Sequence, residues 1–167
     1  MELLAELTDR NVLGLEGTID MPPRLTSRAI LVNREGRIAV IYAQAFGLYS
    51  LPGGGVEKGE TPGQALIREI AEETGCRPNN ITELGCIYEN RAHCRYTQQS
   101  FYYIVTTDGP TQAVQLTAAE ARHRTSLQWH TLEDAWRLIA SPVHTTHQRK
   151  FLQARDMAAL TAYMKLL

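Results

Sequence analysis

GGVEKGETPGQALIREIAEETGC, running from Gly54 to Cys76, is the stretch that decides the fold. Within it, Thr61-Pro62-Gly63-Gln64 carries two helix-start signals. Thr61 can cap the first turn while Gln64 reaches back in a capping box, and Pro62 suits the first helical position. Gly75 supplies a left-handed stop, so the spacing predicts a helix from about Pro62 to Thr74. At about 100° per residue, Leu66, Ile67, Ile70, Ala71 and Thr74 share one arc, the face expected to pack on a sheet. The opposite arc carries Arg68, Glu69, Glu72 and Glu73. The three glutamates are related by steps of three and four, so their carboxylates project together from neighbouring turns. Like charges at those spacings repel, and acids in the last half of a helix oppose its dipole. A solvated acidic face with Arg68 paired to Glu72 is one reading of the cluster, and a cation site is the other. The run Gly53-Gly54-Gly55 ahead of the helix favours the cation site, because glycines let backbone N–H groups approach a phosphate closely. Oxygen ligands on one helix face suit Mg²⁺ or Mn²⁺, cations that also bind phosphate oxygens.

Outward from this segment, residues 28–33 and 37–43 are β-branched-rich runs on either side of Arg34-Glu35-Gly36 and read as a hairpin. Further strands are expected over 84–91, 100–107 and 125–129, and further helices over 132–140 and 146–167. Strands and helices mix without a repeating βα unit. The expected class is therefore α/β in the α+β sense: a mixed β-sheet flanked by helices, an α/β/α sandwich with an added C-terminal helix. A chain of 167 residues, 44% of them hydrophobic, suits one compact domain. That domain is expected over residues 26–167. Residues 1–25 form an N-terminal leader, read as a short helix and then an edge strand that Pro22-Pro23 ends. The apolar face of 146–167, with Phe151, Leu152, Leu160 and Met164, reads as a packing surface over the sheet or as a homodimer contact.

Seventeen basic and eighteen acidic residues leave a net charge of -1 without a long basic tract, which argues against duplex nucleic acid and for a small-molecule nucleotide partner. Residues 1–15 lack the basic start and apolar run of a secretory signal, and no stretch approaches the roughly 20 apolar residues of a membrane helix. A cytoplasmic protein with no membrane partner is the expectation. Cys76, Cys86 and Cys94 are odd in number and form no CxxC pair, so they read as free thiols. His93 beside Cys94, and His144 with His147, lack the further partners that zinc requires.

The segment resembles the signature of the Nudix hydrolase superfamily, in which Gly, five residues, Glu and seven residues precede Arg-Glu-aliphatic-any-Glu-Glu-any-Gly-aliphatic. Gly54, Glu60, Arg68, Glu69, Ile70, Glu72, Glu73, Gly75 and Cys76 occupy those positions in order. Cys76 stands where an aliphatic residue is usual, and a buried thiol behaves as a small hydrophobe. The resemblance implies a Nudix-type sandwich and a metal-dependent hydrolase. Such an enzyme cleaves the diphosphate of a nucleoside diphosphate linked to another moiety, with a nucleoside triphosphate or a nucleotide sugar as the open choices here. It implies further that Glu69, Glu72 and Glu73 bind Mg²⁺ or Mn²⁺, with Glu72 or Glu73 helping to activate water. Arg68 and Glu60 would orient the cluster. Gly54 would let the loop turn.

The family often brings a further carboxylate from a loop before the last helices. Glu120 is the candidate, though Thr117-Ala118-Ala119-Glu120 is also a capping box. Arg28, Arg91, Arg95 and Arg124 are candidate phosphate contacts, and Tyr42, Tyr49, Tyr88 and Phe101 either stack on a base or fill the core. The marks of the ADP-ribose and diadenosine polyphosphate subgroups are absent, their positions falling on Arg91 and on His93-Cys94, and the NADH and coenzyme A signatures are absent too. Two rivals share the fold. One is a nucleotide-binding regulator without catalysis, against which the intact glutamate set speaks. The other is an enzyme like isopentenyl diphosphate isomerase, whose reactive cysteine has no clear counterpart among Cys76, Cys86 and Cys94.

Overall fold

The computed structural model describes residues 1–167. The chain runs through β1 (Leu3–Thr8), α1 (Asp9–Leu13), β2 (Arg24–Val32), β3 (Ile38–Ala43), β4 (Leu48–Ser50) and β5 (Gly53–Gly55) to α2 (Pro62–Thr74). It continues through β6 (Asn80–Arg91), β7 (Tyr96–Thr106), α3 (Ala118–Arg122), β8 (Thr125–His130), α4 (Leu132–Ala140) and α5 (His147–Met164). The strands form one mixed sheet in the order β1-β6-β7-β2-β3-β4, with β5 also pairing β2 and β8 pairing β3. β1 lies parallel to β6 and β2 parallel to β7, whereas the remaining pairs are antiparallel. This is the mixed sheet flanked by helices that the sequence predicts.

Alternation along β2 sorts the core into two layers. Ala29 and Leu31 point to one face, where they join Leu66, Ile70, Tyr103 and Val105 beneath α2. Ile30 points to the other, joining Ile87, Tyr102, Ile139, Phe151 and Leu160 beneath α4 and α5. The strand period of two thus gives α2 its own side of the sheet, away from the C-terminal helix.

Three features differ from the sequence reading. In the first 25 residues the strand precedes the helix, and β1 extends the common sheet alongside β6. Gly53-Gly54-Gly55 is a short strand paired with Arg28, Ser27 and Thr26 of β2. The buried stripe of α2 is also rotated. Ala65, Leu66, Ile70 and Thr74 are buried, while Ile67 is 48% exposed. The glycine strand leaves room at one side of the helix, so Glu69 and Glu73 turn toward the sheet and Ile67 turns out.

Candidate active site

Both ends of α2 are fixed by local chemistry. Thr61 accepts from the Gln64 N–H at 3.2 Å and Gln64 returns an acceptor to the Thr61 N–H at 2.9 Å. Gly75 closes the other end in the left-handed region, φ 68°. This rigid helix presents Arg68, Glu69, Glu72 and Glu73 beside β5. Arg68 is the clamp of the group: Nε and Nη2 donate to the two oxygens of Glu60 at 2.7 and 2.9 Å, Nη1 to Glu69 at 2.7 Å, and Nη2 also to the Gly55 carbonyl at 2.9 Å. A bidentate guanidinium–carboxylate pair holds geometry as well as charge. It ties the loop between β5 and α2 to the helix.

The hydrogen bond from Arg68 holds the Glu60 carboxyl down to about 2. Burial has the opposite effect on the helix acids. It raises Glu69 above the usual carboxylate range despite the adjacent Arg68, and it pushes Glu73 up to about 8 despite the Gly53 N–H and Arg28. Desolvation disfavours a charged carboxylate, and neighbouring acids add to the cost.

The three glycines allow strand, helix and β2 to close on one another. A Cβ at Gly54 would lie 2.4 Å from Glu69 Oε1, one at Gly53 would lie 2.2 Å from the Ser27 carbonyl, and one at Gly55 would meet Arg24 Nη2 at 2.8 Å. The Gly53 N–H donates to Glu73 Oε2 at 2.7 Å. The glycine run therefore touches the acids directly.

Glu120 enters from α3. Its carboxylate accepts from the Thr117 N–H at 2.6 Å as a helix cap, and it shares with Glu73 a small cavity of about 140 Å³. The capping box is formed, and the side chain also lies beside Glu73. A larger cavity of about 490 Å³ lies on the other side of β5, lined by Arg24, Arg28, Gly54, Gly55, Arg91 and Arg155 among others.

The acid set fits a hard cation in its chemistry: oxygen donors only, on adjacent turns, with Glu69 and Glu73 shielded from water. As placed, no three of these acids converge on one point, because Glu69 faces Arg68 and Glu73 faces the Gly53 N–H. Glu72, with 41% of its side chain exposed and 3.6 Å from Arg68, points most freely outward.

Residues 22–154 match the family model of the NUDIX domain. The chain belongs to the Nudix family. Among relatives, an RNA pyrophosphohydrolase of Aeromonas hydrophila is 44% identical over 55 residues, 32% of this chain and 30% of the relative's length. A MutT-like protein of Streptomyces ambofaciens is 31% identical over 105 residues, 63% of this chain and 62% of its own. The chain therefore spans about a third of the one relative and under two thirds of the other. The crystal structure of a MutT NUDIX hydrolase from Burkholderia pseudomallei superimposes with a TM-score of 0.56 at 27% identity, over 81% of this chain and 98% of that one.

In this Nudix protein the expected residues fall into two groups. Glu60, Arg68, Glu69, Glu72, Glu73, Glu120 and the three glycines gather around the exit of β5, and Arg28 and Arg91 line the larger cavity beside it. Arg95 and Arg124 are exposed, both at positive φ, outside that lining. Phe101 packs on the core under α2, and Tyr42 stacks on Tyr49 with ring centroids 4.3 Å apart. His93 has a partner not weighed in the sequence: its Nδ1 donates to the carboxylate of Asp9 at 2.7 Å. Arg24 and Arg155 were missed. Arg24 precedes the first expected strand, and Arg155 sits within a helix read as apolar packing, so no local pattern marks either.

Proposed function

We propose that this Nudix protein is a divalent-cation-dependent pyrophosphohydrolase that cleaves the diphosphate linkage of a nucleoside diphosphate derivative, with Mg²⁺ or Mn²⁺ as the cation and a small-molecule nucleotide as substrate. One observation carries the reading: Glu69, Glu72 and Glu73 stand on adjacent turns against a strand of three glycines, with two of the three carboxyls raised by burial. A protein without use for a cation gains nothing from that repulsion. The name of one relative, RNA pyrophosphohydrolase, supports the same reaction class.

Glu69, Glu72 and Glu73 would hold the cation. When bound, it supplies neutralisation of phosphate charge and a more acidic attacking water. The chain's own residues then have separable tasks. Arg68, locked to Glu60, fixes the helix acids against the loop. Glycines 53 to 55 let the phosphates approach the backbone without steric obstruction. Glu73 and Glu120 line one small cavity, so their carboxylates are placed to accept the proton that water loses. Water oxygen attacks one phosphorus, the bridging P–O bond breaks, and a nucleoside monophosphate leaves with a phosphorylated remainder.

The test is a panel of nucleoside triphosphates and nucleotide sugars incubated with purified protein and Mg²⁺, with products separated by anion-exchange chromatography. Monophosphate formation that stops in EDTA is the expected result. Nucleotide binding with no product from any substrate would instead assign the chain to the non-catalytic regulators.

A further inference from the structure

We propose that the arginine-lined cavity beside β5 is a phosphate subsite, selecting substrates that carry a polyphosphate chain over those whose diphosphate ends in a neutral sugar. The inference rests on the hydrolase reading for the position of the scissile linkage, and it chooses between the two substrate types which that reading leaves open.

Charge comes first. Four guanidinium groups line the cavity, those of Arg24, Arg28, Arg91 and Arg155, and no carboxylate does. Behind the lining, buried Glu89 pairs with Arg91 and Arg155, and Asp156 pairs with Arg155. Buried Asp9 pairs with His93, which also lines the cavity, and of the four guanidiniums those of Arg24 and Arg28 form no salt bridge. Arg28 donates from Nη1 to the Leu51 carbonyl at 3.1 Å, which holds the side chain without neutralising it.

Unmet hydrogen bonding points the same way. Arg28 Nε and Arg155 Nη2 are buried with no acceptor in reach, and the Arg155 side chain is only 1% exposed. Buried donors are nearly always satisfied in folded proteins, so two orphans on side chains lining one cavity mark a place for an acceptor-rich anion. The donors are also held in advance. Arg91 lies between the rings of Tyr96 and Phe151, at 5.1 and 4.8 Å from their centroids, while Arg155 Nε donates to Tyr102 at 3.0 Å. Little side-chain entropy remains to be lost on binding.

The cavity also adjoins the acids of α2. Gly54 lines this cavity, and its missing Cβ is also the contact point with the Glu69 carboxylate. A chain of phosphates crossing β5 at Gly54 would have one group among the acids and their cation and the next among the arginines. A cavity of about 490 Å³ accommodates such a chain. Of the two rings in its lining, Tyr96 carries Arg91 over its face and His93 packs against His147 and Phe151.

The experiment measures binding of inorganic pyrophosphate by calorimetry in EDTA, where the acids repel the ligand and only the arginine cavity attracts it. Wild-type protein should bind, Arg24→Gln should bind about tenfold more weakly, and Arg37→Gln, an exposed arginine in the β2–β3 turn, should bind as wild type does. In Mg²⁺, kcat/KM should favour a nucleoside triphosphate over a nucleotide sugar, and Arg24→Gln should reduce that ratio. Failure of wild type to bind pyrophosphate, equal binding by Arg24→Gln, or a preference for the sugar nucleotide overturns the subsite. Pyrophosphate binding through Arg24 with no turnover of any substrate supports the subsite and overturns the hydrolase reading.

Discussion

Replacing Gly54 by alanine adds one methyl group and tests whether the glycine strand exists to seat Glu69. The new Cβ would stand 2.4 Å from Glu69 Oε1 and 2.5 Å from its Cδ, whereas relaxed carbon contacts begin near 3.5 Å. Gly54 is not among the positive-φ glycines, so alanine is tolerated by the backbone and the whole clash falls on the carboxylate. Glu69 must retreat by about 1 Å, which loosens its 2.7 Å bond to Arg68. That bond is charge-assisted but partly solvated, so the stability lost is on the order of 1 kcal/mol. Activity should suffer far more, since a displacement of about 1 Å at a reacting group can cost about 100-fold. The assay pairs denaturant unfolding with steady-state kcat at saturating Mg²⁺, and Gly63→Ala serves as control. A Cβ there has its nearest neighbour, Thr61 Oγ1, at 4.0 Å, so the control should be neutral or stabilised by roughly 0.5 kcal/mol and fully active. A Gly54→Ala protein with kcat within about twofold of wild type would refute the seating of Glu69 against β5.

Three other perturbations probe separate parts of the account. The Glu73 carboxyl lies at about 8 in the fold against an ordinary 4.5. The native state therefore keeps a proton that the unfolded chain releases, and cation-free protein should lose stability as pH rises from about 4.5 to about 8. Unfolding series in EDTA across that window should show the decline in wild type and a shallower one in Glu73→Gln; parallel slopes would contradict it. Asp156, fully buried, accepts from the Leu51 N–H at 2.9 Å and from Tyr102, and pairs with Arg155. Asp156→Asn should cost about 3 kcal/mol by urea titration, because it leaves a buried guanidinium short of charge. A cost below about 1 kcal/mol would show that Glu89 alone compensates Arg155. Glu120→Gln retains an acceptor for the Thr117 N–H but removes the charge facing Glu73. It should leave the unfolding midpoint unchanged and lower kcat, whereas unchanged kcat would leave Glu120 as a helix cap alone.

The segment from Thr61 to Gly75 was legible because its information is local: a capping box, a proline in the first turn and a left-handed glycine define α2 without tertiary help. The same holds for α4, whose residues 132–140 match the expected span. What escaped depends on partners distant in sequence. The helical wheel placed Ile67 inward and Glu73 outward, but β5 offers only hydrogen atoms where larger side chains would fill the space, and the polar edge of α2 turned into that gap. β1 was unreadable as a sheet member because its pairing strand, β6, lies more than seventy residues away. Arg155 carries no local signal, because two of the groups that surround it, Glu89 and Tyr102, lie more than fifty residues away. The acids of the candidate site share one helical spacing, whereas the arginines of the cavity come from β2, β6 and α5 and share no motif.

The most direct test of the central claim compares kcat for diphosphate cleavage in wild type and Glu72→Gln at saturating Mg²⁺, with unfolding midpoints recorded for both. Glu72 is the most solvent-exposed acid of the three, so its amide should leave the fold intact while removing a charge that holds the cation. The account predicts an equal midpoint and a kcat lower by about 100-fold or more. Full activity in Glu72→Gln would contradict it, and with it the assignment of the α2 acids as the centre of the chemistry.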